Sequence, residues 1–199
     1  MVPEFGQVCL ILALCLALAQ GILPLAGAQF GRPAWMAVAV PAAAGQSVFV
    51  LGAFGTLAWS FVTNDFSVAY VATNSNSSLP DLYRFAAVWG GHEGSLLLWA
   101  VMLSLWTAAV AAFSRSIPRD ISARIMGVMG FISAGFLLFI LVTSNPFLRA
   151  FPAPLEGNDL TPLLQDPAMA AHPPLLYAGY VGFSVAFAFA VAALIAGRI

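Results

Sequence analysis

The chain has 199 residues, of which 61% are hydrophobic and 8% charged, with a formal net charge of −1 and a mean hydropathy of +0.94. A soluble domain carries about 25% charged residues, so this chain has too little charge to cover a water-facing surface. The near-zero net charge argues against a nucleic-acid role. Two cysteines without Cys-x-x-Cys-His spacing exclude a c-type cytochrome.

Cutting the chain at its charged residues leaves five windows long enough to span, 5–31, 33–64, 94–114, 125–148 and 167–197, while the Ser- and Asn-rich stretch 66–80 reads as loop. Each of the five can cross about 30 Å of hydrocarbon as helix, which takes roughly 20 residues. Helices follow because each span must satisfy its own backbone in lipid. The prediction is an all-α, polytopic bundle, a single membrane domain over 1–199, with spans near 5–27, 38–62, 95–113, 125–144 and 174–197. The long loops are 63–94 and 145–173.

The first span carries Glu4 and no base ahead of a long apolar run, so it is expected to be retained rather than cleaved. Cys9 and Cys15 lie inside it on different helix faces and read as small packing residues. In the first long loop, Leu82, Phe85, Ala86 and Trp89 recur at i, i+3, i+4 and i+7, which predicts a short interfacial amphipathic helix. It leads into Trp-Gly-Gly-His-Glu-Gly-Ser, residues 89–95. Glu93 suits the start of a helix. His92 reads as a ligand, a proton relay or a loop hydrogen-bonder; Leu96 stands where an HExxH zinc site needs its second histidine. Trp89, Trp99 and Trp106 read either as a stacking wall for a flat apolar cofactor or as anchors and core.

In the second long loop, Thr161 and Pro162 predict the start of a short helix that Asp166-Pro167 ends. His172 precedes two prolines and is expected in extended backbone just ahead of the fifth span. A neutral imidazole there offers the lone pair that a metal or haem iron needs, but the residues alone favour a hydrogen-bonded structural histidine over a ligand. Ala178, Gly182, Ala186 and Ala190 make a small-residue stripe that lets another helix approach.

Arg32, Arg115, Arg119, Arg124 and Arg198 follow spans one, three and five, while Arg84 and Arg149 lie on the other side. The positive-inside rule then places the N-terminus and both long loops outside. All charges fall outside the predicted span cores, which argues against a small-molecule transporter.

Three stretches, 87–99, 159–166 and 172–184, beginning Ala-Val-Trp-Gly-Gly-His-Glu, Asp-Leu-Thr-Pro-Leu-Leu-Gln-Asp and His-Pro-Pro-Leu-Leu-Tyr, resemble the CcmF family of cytochrome c haem lyase membrane subunits, with the NrfE-like branch as its sister. The resemblance covers the family's N-terminal third. Its Trp-Gly-x-x-Trp-x-Trp-Asp segment, transmembrane haem histidines and second external histidine are absent from these residues. A fragment, a split protein or a truncated inactive product is therefore expected, with a haem-free docking module as the alternative function. The resemblance implies that His172 is an axial ligand to haem b, held transiently. His92 and Trp89 are secondary candidates, with no catalytic side chain and no other metal site assigned. It further implies a bacterial inner-membrane location. The implied partners are the haem chaperone CcmE, a CcmH-type subunit and apocytochrome c, in whose Cys-x-x-Cys-His the thiols add to haem vinyl groups.

Overall fold

The computed structural model describes residues 1–197; Arg198, one of the five arginines counted on one side, lies outside the described residues with Ile199. The elements are α1 (Val2–Gln29), α2 (Pro33–Met36), α3 (Ala39–Val62), α4 (Ala69–Asn74), α5 (Asp81–Ala86), α6 (His92–Phe113), α7 (Arg119–Thr143), α8 (Pro167–Val181) and α9 (Phe183–Ala196). Short 3₁₀ turns cover Ala87–Trp89, Ser114–Ser116 and Pro162–Gln165. Five candidate spans are long and apolar enough to cross a membrane: α1, α2 with α3, α6, α7, and α8 with α9. The all-α bundle is therefore as the hydropathy implies. Its only extended pairing among the described residues is one antiparallel bridge, Val68 to Arg149.

Helix α1 runs between α3 and α7 and buries a narrow row of small residues, Gly6, Cys9, Ala13, Ala17 and Gly21. Lipid gives no hydrophobic drive for helices to associate, so close van der Waals packing through small side chains takes over. Gly130 of α7 shows how close: a Cβ there would lie 2.6 Å from the Gly21 nitrogen and 3.0 Å from the Ala17 oxygen. Buried Gln20 adds a hydrogen bond from its amide nitrogen to the Met126 carbonyl at 2.8 Å. Between α3 and α6, the buried Ser47 hydroxyl reaches the Ser104 carbonyl at 3.2 Å and the Ala43 carbonyl of its own helix at 3.0 Å.

The fifth span departs from its expected form in two ways. It begins at Pro167, because the Asp166 carboxylate accepts from the N–H groups of Ala168 and Met169, both at 3.0 Å, and Pro167 needs no donor in the first turn. His172 is consequently helical, on the second turn, and not in extended backbone. The span then breaks at Gly182, which separates α8 from α9. Its inward contacts run through Val181, Ala188 and Ala192, while Ala186 and Ala190 of the small-residue stripe face outward. Only 17% of its most apolar stretch is buried, against 39% or more in the other four, so it lies at the bundle's edge.

Candidate functional site

The two long loops fold onto each other at one end of the bundle. Backbone bonds join Ala69 to Leu148 and Ala150 to Ser67, both at 2.9 Å, and Asn158 to Ala72 at 2.8 Å. The Arg149 guanidinium donates to Glu4 at 2.6 Å and to the Ser67 hydroxyl, with Asp65 at 3.7 Å. Glu156 accepts from the Ser77 hydroxyl at 2.5 Å and its N–H at 2.9 Å. Those bonds, the hydroxyl's first, hold the Glu156 carboxyl below the usual range. The stretch that the charge pattern shows only as two polar loops is thus one module.

Tyr70 is the pivot of this module, and nothing in its sequence neighbourhood singles it out. Its ring is 4% exposed; its hydroxyl donates to the Val88 carbonyl at 3.1 Å and accepts from the Gly91 N–H at 2.9 Å. Burial pushes its phenol well above the ordinary range. The turn it braces is tight: a Cβ at Gly94 would collide with the same Val88 carbonyl. Sequence 89–95 therefore needs its glycines for close approach.

Of the three sequence candidates, Trp89 is buried at 9% exposure. Its indole N–H donates to the Ala170 carbonyl of α8 at 3.0 Å, and its ring meets Phe85 edge-on at 5.3 Å. It faces protein on these sides and ties the Trp-Gly-Gly-His-Glu turn to the helix that carries His172. The expected amphipathic helix is present as α5 plus the 3₁₀ turn, burying Ala86 and Trp89 and exposing Leu82 and Phe85.

His92 opens α6, with its Nδ1 at 3.2 Å from the Ser144 hydroxyl at the end of α7. It lines an open groove of about 330 Å³ together with Trp99, Phe136, Tyr177 and Tyr180. Trp99 stacks on Phe136 with ring centroids 3.5 Å apart. His172 is exposed and takes part in no hydrogen bond or ion pair among the described residues. Among those residues, no group of three or more His, Cys, Asp or Glu could hold a metal ion. Cys9 is buried and Cys15 exposed, and both are free thiols.

Comparison with known proteins matches this arrangement to one family. Residues 89–198, which include the Trp89 turn, His92 and His172, match the family model of the cytochrome C assembly protein. The chain is 62% identical over 200 residues to cytochrome c-type biogenesis protein CcmF of Pseudomonas aeruginosa, covering all of this chain and 30% of that protein. It is 57% identical to CcmF of Escherichia coli, covering 31% of it. The NrfE of Haemophilus influenzae is 47% identical over 195 residues, 98% of this chain and 31% of that one. The solved structure of the cytochrome c haem lyase CcmF superposes with a TM-score of 0.87 at 28% identity, over all of this chain and 31% of that chain. The chain thus spans about a third of the length of these relatives. With the matched residues carrying the turn, the groove and the histidine-bearing helix, the chain belongs to the cytochrome c assembly protein family.

Proposed function

We propose that the chain acts in cytochrome c maturation as the N-terminal portion of a haem lyase subunit. In this reading it is one multi-pass domain of the bacterial inner membrane. The arginine bias puts its N-terminus and the joined loops on the outer side. His172 supplies one axial ligand to the iron of incoming haem.

One observation carries the reading: an exposed histidine, unpaired among the described residues, on a helix matched throughout to a haem lyase. Both of its ring nitrogens are uncommitted, so a neutral imidazole there can present a lone pair to iron. His92 differs, since one nitrogen is already engaged by Ser144. It is a second-tier candidate whose other nitrogen is left for the groove. The second axial ligand comes from outside these residues.

Haem is cargo here. In the attachment step, an apocytochrome thiol adds across a haem vinyl group. An S–C bond forms, the thiol hydrogen goes to the other vinyl carbon, and no electron is transferred overall. This chain's part is to hold and orient the haem that a CcmE-type chaperone delivers, beside a CcmH-type subunit that brings the apocytochrome.

The test is to co-express the chain with the remaining two thirds of Pseudomonas aeruginosa CcmF and change His172 to Ala. Haem retained and c-type cytochrome made should both fall. Unaltered amounts of both would remove the ligand assignment. A haem-free docking module is the second reading, favoured by the sparsely buried fifth span. It expects partner subunits to be captured with no Soret absorbance at any stage.

A further inference from the structure

Helix α8 contains two internal prolines, Pro173 and Pro174. In an α-helix the N–H of residue i bonds the carbonyl of residue i−4. Proline has no N–H, so Met169 and Ala170 lose the intrahelical donors their carbonyls would receive. The Ala170 carbonyl takes its hydrogen from outside the helix, from the buried Trp89 indole at 3.0 Å.

The same substitution recurs lower down. At the break, the Gly182 N–H turns back to the Gly179 carbonyl at 3.2 Å and does not serve Ala178. The Ala178 carbonyl accepts the Trp106 indole N–H at 3.0 Å. Ala170 and Ala178 are two turns apart, about 12 Å along the axis. Two indoles from one continuous stretch, the Trp89 turn and the α6 helix it opens, therefore grip α8 at two heights.

We propose that Trp89 is a positioning residue for His172, acting through the Ala170 carbonyl that Pro174 leaves free, with Trp106 fixing the far end. This rests on the reading of His172 as a haem ligand. Side-chain packing on α8 is sparse: Ala170 and Val181 are its buried residues, with Tyr177 half-buried against the core and Tyr180 beside Trp99. Its height and rotation on the bundle follow from directional bonds more than from side-chain packing. Trp89 is itself well held, edge-on to Phe85 and with its carbonyl accepting the Ser95 hydroxyl at 2.9 Å. Ala170 lies two residues before His172, so a fixed carbonyl there fixes where the imidazole projects. In this view the proline pair does more than stiffen the chain. Its second member exposes an acceptor that the tryptophan requires.

The test uses the chain co-expressed with the remainder of Pseudomonas aeruginosa CcmF, in three variants: Trp89→Phe, Pro174→Ala and both together, with His172→Ala as reference. The first readout is exchange of the Trp89 indole proton in ¹⁵N-tryptophan-labelled protein without haem. The second is haem retention and the ligand-field spectrum of bound haem. Trp89→Phe keeps an aromatic ring but removes the donor. It should lower retention on the order of tenfold and alter the ligation spectrum. Pro174→Ala restores a competing N–H, so indole exchange should quicken, and adding Trp89→Phe should then cost little more.

Loss of haem ligation in His172→Ala with none in Trp89→Phe overturns the positioning role alone. Independent, fully additive effects of the two substitutions overturn it too. Unchanged ligation in His172→Ala overturns the ligand reading and the positioning role together. Should Trp89→Phe yield no folded protein, Pro174→Ala decides the matter, and an unchanged indole exchange rate contradicts the proposal.

Discussion

Replacing Tyr70 by Phe removes one oxygen and leaves two backbone groups facing an apolar ring. The Val88 carbonyl loses its 3.1 Å donor and the Gly91 N–H loses its 2.9 Å acceptor. A buried polar group left unsatisfied costs about 1–3 kcal/mol. Val88 is fully buried and Gly91 is half-buried, so the pair should cost about 2–4 kcal/mol. That cost falls on the loop module, not the spans, because the ring still fills its site against Phe61 at 5.4 Å. At tenfold per 1.4 kcal/mol, the module should open at least about 30-fold more often. Hydrogen exchange in nanodiscs reads this directly. Segments over 69–95 should lose protection by that factor while α1 and α7 stay unchanged. Equal protection in both proteins would refute the claim that this hydroxyl braces the turn. Alkaline pH should act in the same direction. A phenol raised on folding contributes fully below its unfolded value of about 10 and progressively less as pH climbs toward the folded one.

Gly130→Val should abolish accumulation of folded chain, because its branched carbon would meet α1 backbone; Gly135→Ala, with open space around its Cβ, should accumulate normally, and immunoblots of membranes compare the two. The Glu156–Ser77 contact should hold above the unfolded carboxylate value of about 4.3 and weaken as pH falls through the lowered folded value. Glu156→Gln should remove that acid sensitivity, read as the protease resistance of 150–166 between pH 7 and about pH 3. Arg149→Ala should shift the thermal unfolding midpoint little, because its partners Glu4 and Asp65 are solvent-accessible, and added salt should shrink even that shift.

The bundle was legible because membrane spans answer to a simple local quantity, the length of chain without charge. The helix ends were less so. A proline after His172 argues for extended backbone, yet the Asp166 carboxylate caps a helix that starts one turn and more upstream, and tertiary bonds make the prolines tolerable inside it. The stripe Ala178, Gly182, Ala186 and Ala190 has helical spacing, but the break at Gly182 rotates its lower half outward, and Ala188 and Ala192 pack instead. Trp89 offered a stacking surface on composition alone. Only its indole partner 81 residues away reveals a structural bond. Tyr70 and Ser144 escaped notice for the same reason: their partners are far along the chain, and no local pattern marks them.

The central claim is that the His172 imidazole binds haem iron. It is tested most directly by electron–nuclear double resonance on the reassembled protein, with haem loaded and histidine nitrogens labelled with ¹⁵N. The account expects a histidine ¹⁵N coupling at the iron that vanishes in His172→Ala and is kept in His92→Ala. An identical coupling in wild type and His172→Ala would contradict it.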